Sequence, residues 1–304
     1  MKKIYLLFML LSFGFVPNLF AEQTPTEIFN AYLKEANEGN SDAMFNIGLL
    51  YFHGRGIEKN NHLAFEWYAK SSQKGNVEAL NNLGMMYENG YGTPKDTLLA
   101  KECYLKAAQG GFTIAQLNLG LFFEKNPTEV NMKQAAFWYL KAAKNGNKTA
   151  QNNLAKLYYF GNGIEYDLSK AFFWFQESAW QDDPVAQYNL AMMYYRGEYV
   201  SNDNTKTLFW LERASENGSQ YAEAKLGDFY TEGTIVTKNL SVAFNWYLRA
   251  AIKNNVNAMY QVGVFYFYGH GVDADILKAK EWLQKAANAG HEDALRFMQR
   301  NNLY

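Results

Sequence analysis

Two sets of side chains in this 304-residue chain have types and spacings that bear on chemistry. The first is the usual catalytic stock: His53, His62, His270 and His291, the single Cys103, and scattered Asp and Glu. The histidines recur at no regular spacing, whereas a metal site needs ligands that converge. Carboxylates paired for acid and base work are not visible. The Gly-x-Gly steps at Gly54, Gly90, Gly161 and Gly269 have no third glycine and follow helical patterns, so they read as turns and not as phosphate cradles. No catalytic residue, metal ligand or cofactor is assigned.

The second set is a column of carboxamides, Asn46, Asn82, Asn118, Asn153 and Asn189, continued by Lys225 and Gln261. A carboxamide offers one acceptor and two donors, which matches the polar groups of a peptide bond. Two roles fit such a column: holding the backbone of an extended peptide, or bridging neighbouring helices of the same chain. Around it lie Phe45, Phe52, Tyr159, Phe160, Tyr188, Tyr195, Tyr260, Phe267 and Tyr268. Aromatic side chains give contact area at low entropic cost and dominate binding hot spots. Packing between helices would also consume them.

The elements that must position these residues follow from an internal repeat. Ala43, Ala79, Ala115, Ala150, Ala186, Ala222 and Ala258 stand 36 residues apart, with one step of 35, and Ala294 begins an eighth copy. Each copy carries two stretches of helical spacing, for example Ala43, Ile47, Leu50 and Tyr51, then Leu63, Ala64, Trp67 and Tyr68, which predicts a helix A, a turn and a helix B. A column of Asn60, Asp96, Asn131, Asp167, Asp203, Asn239 and Asp275 predicts the start of each helix B, since their side chains accept from first-turn amides. After helix B, Gly75, Gly111, Gly146, Asp182, Gly218, Asn254 and Gly290 are residues that tolerate a left-handed stop. Inside helix A the column Gly48, Gly84, Gly120, Ala155, Ala191, Gly227 and Gly263 predicts close approach of a neighbouring helix, because glycine there costs about 1 kcal/mol relative to alanine. In helix B, Trp67, Trp138, Trp174, Trp210, Trp246 and Trp282 read as core, Cys103 as buried filler in the same column, and Trp180 as exposed.

Leu83, Gly84, Tyr87, Gly90, Gly92, Asp96, Ala100, Tyr104, Ala107, Ala108 and Gly111 carry a resemblance to the Sel1-like repeat, a relative of the tetratricopeptide repeat. The resemblance implies an all-α fold: a right-handed α-solenoid of about seven Sel1-like helix-turn-helix repeats with terminal capping helices. The expected layout is a signal peptide at 1–21, an N-terminal capping helix at 22–40, seven repeats at 41–293 and a C-terminal capping helix at 294–304. By analogy with tetratricopeptide repeats, helix A lines the concave face, where related proteins use asparagine ladders to hold extended peptides. The third repeat lacks both turn glycines and the fifth and sixth keep only Gly197 and Gly233, so those turns are expected to differ in shape. Cysteine-rich relatives, for some of which a β-lactamase activity has been proposed, carry a disulfide pair per repeat; this chain has a single cysteine.

The net charge of −1 gives no basic track for nucleic acid. Lys2, Lys3 and the apolar run from Ile4 to Val16 read as an export signal cleaved after Ala21, too short for the ~20 residues a membrane span needs. The expected protein is therefore periplasmic or secreted, with no membrane span after signal removal. Formal glycosylation sequons at Asn147, Asn217 and Asn239 fit a eukaryotic lumenal address, whereas the short basic leader fits bacterial export. The reading that results is a non-catalytic scaffold binding a protein or extended peptide on its concave face. A glycan- or peptidoglycan-binding module and a β-lactamase-like hydrolase are the alternatives.

Overall fold

The computed structural model describes residues 24–303, and the expected leader lies outside them. The described residues form sixteen α-helices and no strand. An orphan helix α1 (Pro25–Asn37) precedes seven hairpins: α2 (Ser41–His53) and α3 (Asn61–Gln73), α4 (Val77–Asn89) and α5 (Thr97–Gln109), α6 (Thr113–Glu124) and α7 (Glu129–Lys144), α8 (Lys148–Phe160) and α9 (Leu168–Trp180), α10 (Pro184–Arg196) and α11 (Asn204–Glu216), α12 (Gln220–Glu232) and α13 (Leu240–Ile252), α14 (Val256–Tyr268) and α15 (Ile276–Asn288). Helix α16 (Glu292–Arg300) ends the series. The residues divide into two units, Met1–Cys103 and Tyr104–Tyr304.

Capping follows the expected columns with one exception. Asn60, Asp96, Asp167, Asp203, Asn239 and Asp275 each accept a first-turn amide of their helix B. Asn131 does not: Thr128 caps α7 instead, the helix starts earlier, and the Asn131 amide donates to the Asn126 carbonyl at 2.7 Å. With the turn glycines gone and one residue deleted, the chain reaches helix B sooner. The sixth repeat meets the other expectation about turns, since Ile235 does not take the left-handed conformation at the second-glycine position, but the fifth corrects it. Tyr199 takes φ +65°, the left-handed conformation that Gly56 and Gly163 take at +74° in other repeats, so the turn keeps its form without glycine. Its ring lies 5.4 Å from that of Phe172.

Helix–helix approach explains the small-residue column. A Cβ on Gly48, Gly120 or Gly227 would lie 2.6, 2.4 or 2.6 Å from the ring of Tyr68, Tyr139 or Tyr247 in the facing helix B. Where the small residue is Ala155 or Ala191, the same cores hold Phe175 and Leu211, whose side chains have no hydroxyl to anchor. Gly263 faces Leu283, so the rule is not strict. The tryptophan column is less buried than expected. Only Trp138 and Trp210 are buried; the other four are half-buried. Lys70, Arg249 and Lys285 lie 4.3, 4.5 and 4.4 Å from the ring centroids of Trp67, Trp246 and Trp282, each one helical turn on. Trp180 is exposed, and Cys103 is half-buried among the partners of Tyr68 and Leu83.

Candidate functional site

Helix A presents its first turn and one further face to its neighbours, and the polar residues on them divide by use. In the first turn stands a column that the reading of the sequence did not single out: Gln116, Gln151, Gln187 and Glu223, all buried. The three glutamine amides donate back to the carbonyls of Ala108, Ala143 and Ala179 at 3.3, 3.2 and 3.0 Å. Their oxygens accept from Asn145, Gln181 and Asn217 at 3.1, 2.7 and 3.0 Å. Each glutamine thus ties the end of one helix B to the end of the next. At Glu223 the tie becomes ionic: Arg249 and Lys253 approach the same carboxylate oxygen at 3.0 and 2.9 Å. Its recurrence one residue after the leading Ala was the signal available in the sequence.

The asparagine column falls two residues after the ladder position in helix A and is half-buried throughout. Asn82 and Asn153 accept from Asn81 and Asn152 at 3.4 Å, and Asn189 donates to Asn152 at 3.2 Å. Asn82 also neighbours the Tyr68 hydroxyl, and Asn153 that of Tyr139, which donates to Glu124. The hydrogen bonds that this column makes are therefore partly internal to the stack.

Two hollows open on the A-helix face of the second unit. The first, of about 330 Å³, lies between α8 and α10 and is lined by Lys156, Tyr159, Phe160, Phe175, Val185, Tyr188, Asn189, Met192, Met193, Arg196 and Glu198. Tyr159 donates its hydroxyl to Glu198 at 2.8 Å and accepts from Arg196 at 3.1 Å. Burial and the Glu198 carboxylate push its hydroxyl above the ordinary value, against the opposing pull of Arg196. The second hollow, of about 360 Å³, is polar, and Tyr188 is a wall of both. Its lining includes Tyr221, Lys225, Asp228, Asn257, Tyr260, Gln261 and His291. The Tyr260 ring stacks on His291 at 4.6 Å, and Asp228 holds Lys225 at 3.5 Å and the Tyr247 hydroxyl at 2.9 Å.

Of the residues marked as candidates in the sequence, Tyr159, Phe160, Tyr188 and Asn189 come together in the first hollow and Tyr188 and Tyr260 in the second. Tyr195 lies outside both, its ring 4.9 Å from Phe229. Phe267 and Tyr268 pack about Phe297 of α16, at 5.2 and 6.1 Å. In the first unit, Phe45 sits 5.7 Å from Tyr68, and Phe52 lies 6.0 Å from Tyr91. Asn46 is half-buried beside them on α2, and Asn118 holds the same column position on α6. Lys156, Met192, Arg196 and Tyr221 were missed: Arg196 and Tyr221 stand in columns of unrelated residues, and Lys156 and Met192 share a column that is otherwise mostly apolar and reads as packing.

The histidines are dispersed in the fold as well. His62 contacts the Gly92 carbonyl at 3.0 Å, His270 stacks on Tyr268 at 5.3 Å and His291 caps α16. Among the described residues no group of three or more His, Cys, Asp or Glu is placed to hold a metal ion, and no helix is long and apolar enough to cross a membrane.

The Sel1 repeat model matches seven consecutive segments, 41–76, 77–112, 113–147, 148–183, 184–219, 220–255 and 256–291. Among solved structures, a Sel1 repeat protein from Oxalobacter formigenes is 31% identical, with 92% of this chain and 82% of that chain covered and a TM-score of 0.77. A protective antigen present in uropathogenic Escherichia coli strains, which displays the SLR fold, is 29% identical with a TM-score of 0.79. That match covers 90% of this chain and 60% of the antigen. No protein of curated function matches the chain in sequence.

Proposed function

This chain belongs to the Sel1 repeat family, and from that premise we propose that the A-helix face of its second unit is a docking surface for another protein, engaged through an extended segment. Sel1 repeats build scaffolds that typically serve protein–protein interaction. The observation that carries the proposal is the pair of adjoining hollows, walled by Tyr159, Phe160, Tyr188 and Tyr260, on a face whose packing needs the ladder already meets. Aromatic walls around half-open hollows are the anatomy of binding hot spots. The proposed role is non-catalytic, and the proposed address is the bacterial periplasm or the exterior. Lys2, Lys3 and the apolar run that follows them support that address, as does the antigenic character of the Escherichia coli relative.

A photo-crosslinking amino acid placed at Phe160 or Tyr221, which are 62% and 60% exposed, tests the docking surface in living cells. A discrete crosslinked band at both positions, missing from a control at Glu216 on α11, is the expected result. Bands no different from the control at both positions would overturn the proposal. The tyrosine rings around the polar hollow also suit sugar stacking, so cosedimentation with insoluble peptidoglycan is the paired experiment. Retention abolished by Tyr221→Ala would favour a glycan over a protein.

A further inference from the structure

From the geometry of the first hollow we infer that the docked segment is read there as an acidic–apolar motif: a large apolar side chain enters between α8 and α10, and a neighbouring carboxylate meets Lys156. The inference rests on the docking reading above and names what one part of that surface selects.

The floor of the hollow is apolar, with Phe175, Met193 and Met192 at 2, 1 and 8% exposure, while Phe160 stands open at its mouth. Methionine repacks easily around an inserted side chain. Three charged groups ring the floor, and two of them are committed to each other. Arg196 lies 3.7 Å from Glu198, and both bond the Tyr159 hydroxyl. Lys156 has no ion-pair or hydrogen-bond partner among the described residues. The rim therefore carries one positive charge in excess beside an apolar floor, and charge complementarity selects a carboxylate next to the apolar group.

A peptide fits this better than a free amphiphile, because the surface continues past Tyr188 into a hollow suited to a backbone. There Asn257 and Gln261 present carboxamides that have no partner among the described residues. Such groups match the donor and acceptor of each further peptide bond, whereas an alkyl chain would leave them unsatisfied.

The test is a selection of random eight-residue peptides displayed on phage against the purified full chain, repeated on Lys156→Glu, Lys156→Ala, Phe160→Ala and Tyr221→Ala. Circular dichroism checks that the variants fold, as expected for a half-buried rim position. The wild-type pool is expected to pair Asp or Glu with Leu, Met, Phe or Ile one or two positions away. The Lys156→Glu pool should exchange the acid for Lys or Arg. A synthetic peptide from the wild-type pool should bind Lys156→Ala about two- to fivefold more weakly, the scale of one partly exposed ion pair. A pool that depends on Phe160 and Tyr221 yet has no acidic preference, or one unchanged by Lys156→Glu, would overturn the motif and leave docking intact. A pool indifferent to all three residues would overturn both, as would displacement of the selected peptides by decanoate alone in a Lys156-independent manner.

Discussion

The seam between hairpins and the hollows on the A-helix face share helices α8, α10 and α12, yet the seam pairs its glutamines while the hollows leave some polar groups without partners among the described residues. In the seam, Gln151 and Gln187 are 3 and 0% exposed, and each both donates to and accepts from the stack. In the hollows, Lys156, Asn257 and Gln261 have no partner among the described residues. A buried amide left unpaired costs about 1–3 kcal/mol, so the seam repeats its solution from hairpin to hairpin. A solvated amide costs little, so the hollows vary. The difference teaches where selection for a partner has room to act.

Substitutions that break this contrast should be felt most in the seam. Gly227→Ala puts a methyl group 2.6 Å from the Tyr247 ring, which hydrogen bonds to Asp228 and Thr231 hold in place. Overpacking of this kind costs about 1–3 kcal/mol, read as a lower urea midpoint. Adding Tyr247→Leu should restore part of that loss, because the fifth repeat already pairs Ala191 with Leu211 in one core. Gln187→Leu should cost about 0.5–1.5 kcal/mol, because it removes the bonds to the Ala179 carbonyl and the Asn217 amide while Asp182 still bonds each of them, again by urea unfolding.

Tyr68→Phe sharpens the comparison from the other side. The Tyr68 hydroxyl is buried without a hydrogen-bond partner, and burial pushes it up to about 12 from 10.0, opposed in part by Asn82. The folded state therefore keeps a proton that the unfolded chain releases, so this contribution is intact below pH 10 and lost as the pH rises toward 12. The phenylalanine variant should match or exceed the wild type by up to about 1 kcal/mol at neutral pH. It should also lose stability less steeply above pH 10, although the buried Tyr139 and Tyr247 hydroxyls, raised in the same way, retain some slope. The smallest effect belongs to the hollows: Phe160→Ala should change the stability by no more than about 0.5 kcal/mol. A larger loss in thermal or urea unfolding would mean that Phe160 serves packing.

The hairpin order, nearly all the caps and the close helix approach at the small-residue column were legible in the sequence, because each depends on contacts that recur at a fixed spacing. Asn131 shows where that reasoning stops: it occupies the capping column, but a deleted residue upstream let Thr128 take the role. Tyr199 shows the same limit, since a residue without glycine's freedom adopts the turn when a ring such as Phe172 packs beside it. The aromatic candidates also separated only in three dimensions. Tyr159 and Tyr188 line an open hollow, while Tyr195 and Phe267 are similar in type and pack on Phe229 and Phe297.

What the sequence determined by itself is the repeating part: two helices per copy, their starts and stops, and the columns that must pack. Spacing carries that information because every copy makes the same local and nearest-neighbour contacts. Only the tertiary structure decided which of the remaining side chains meet. Lys156, Arg196 and Glu198 come from a helix, the end of another and a turn, and no periodicity links them. Their meeting depends on how two hairpins lean together, a property of packed surfaces and not of any one repeat.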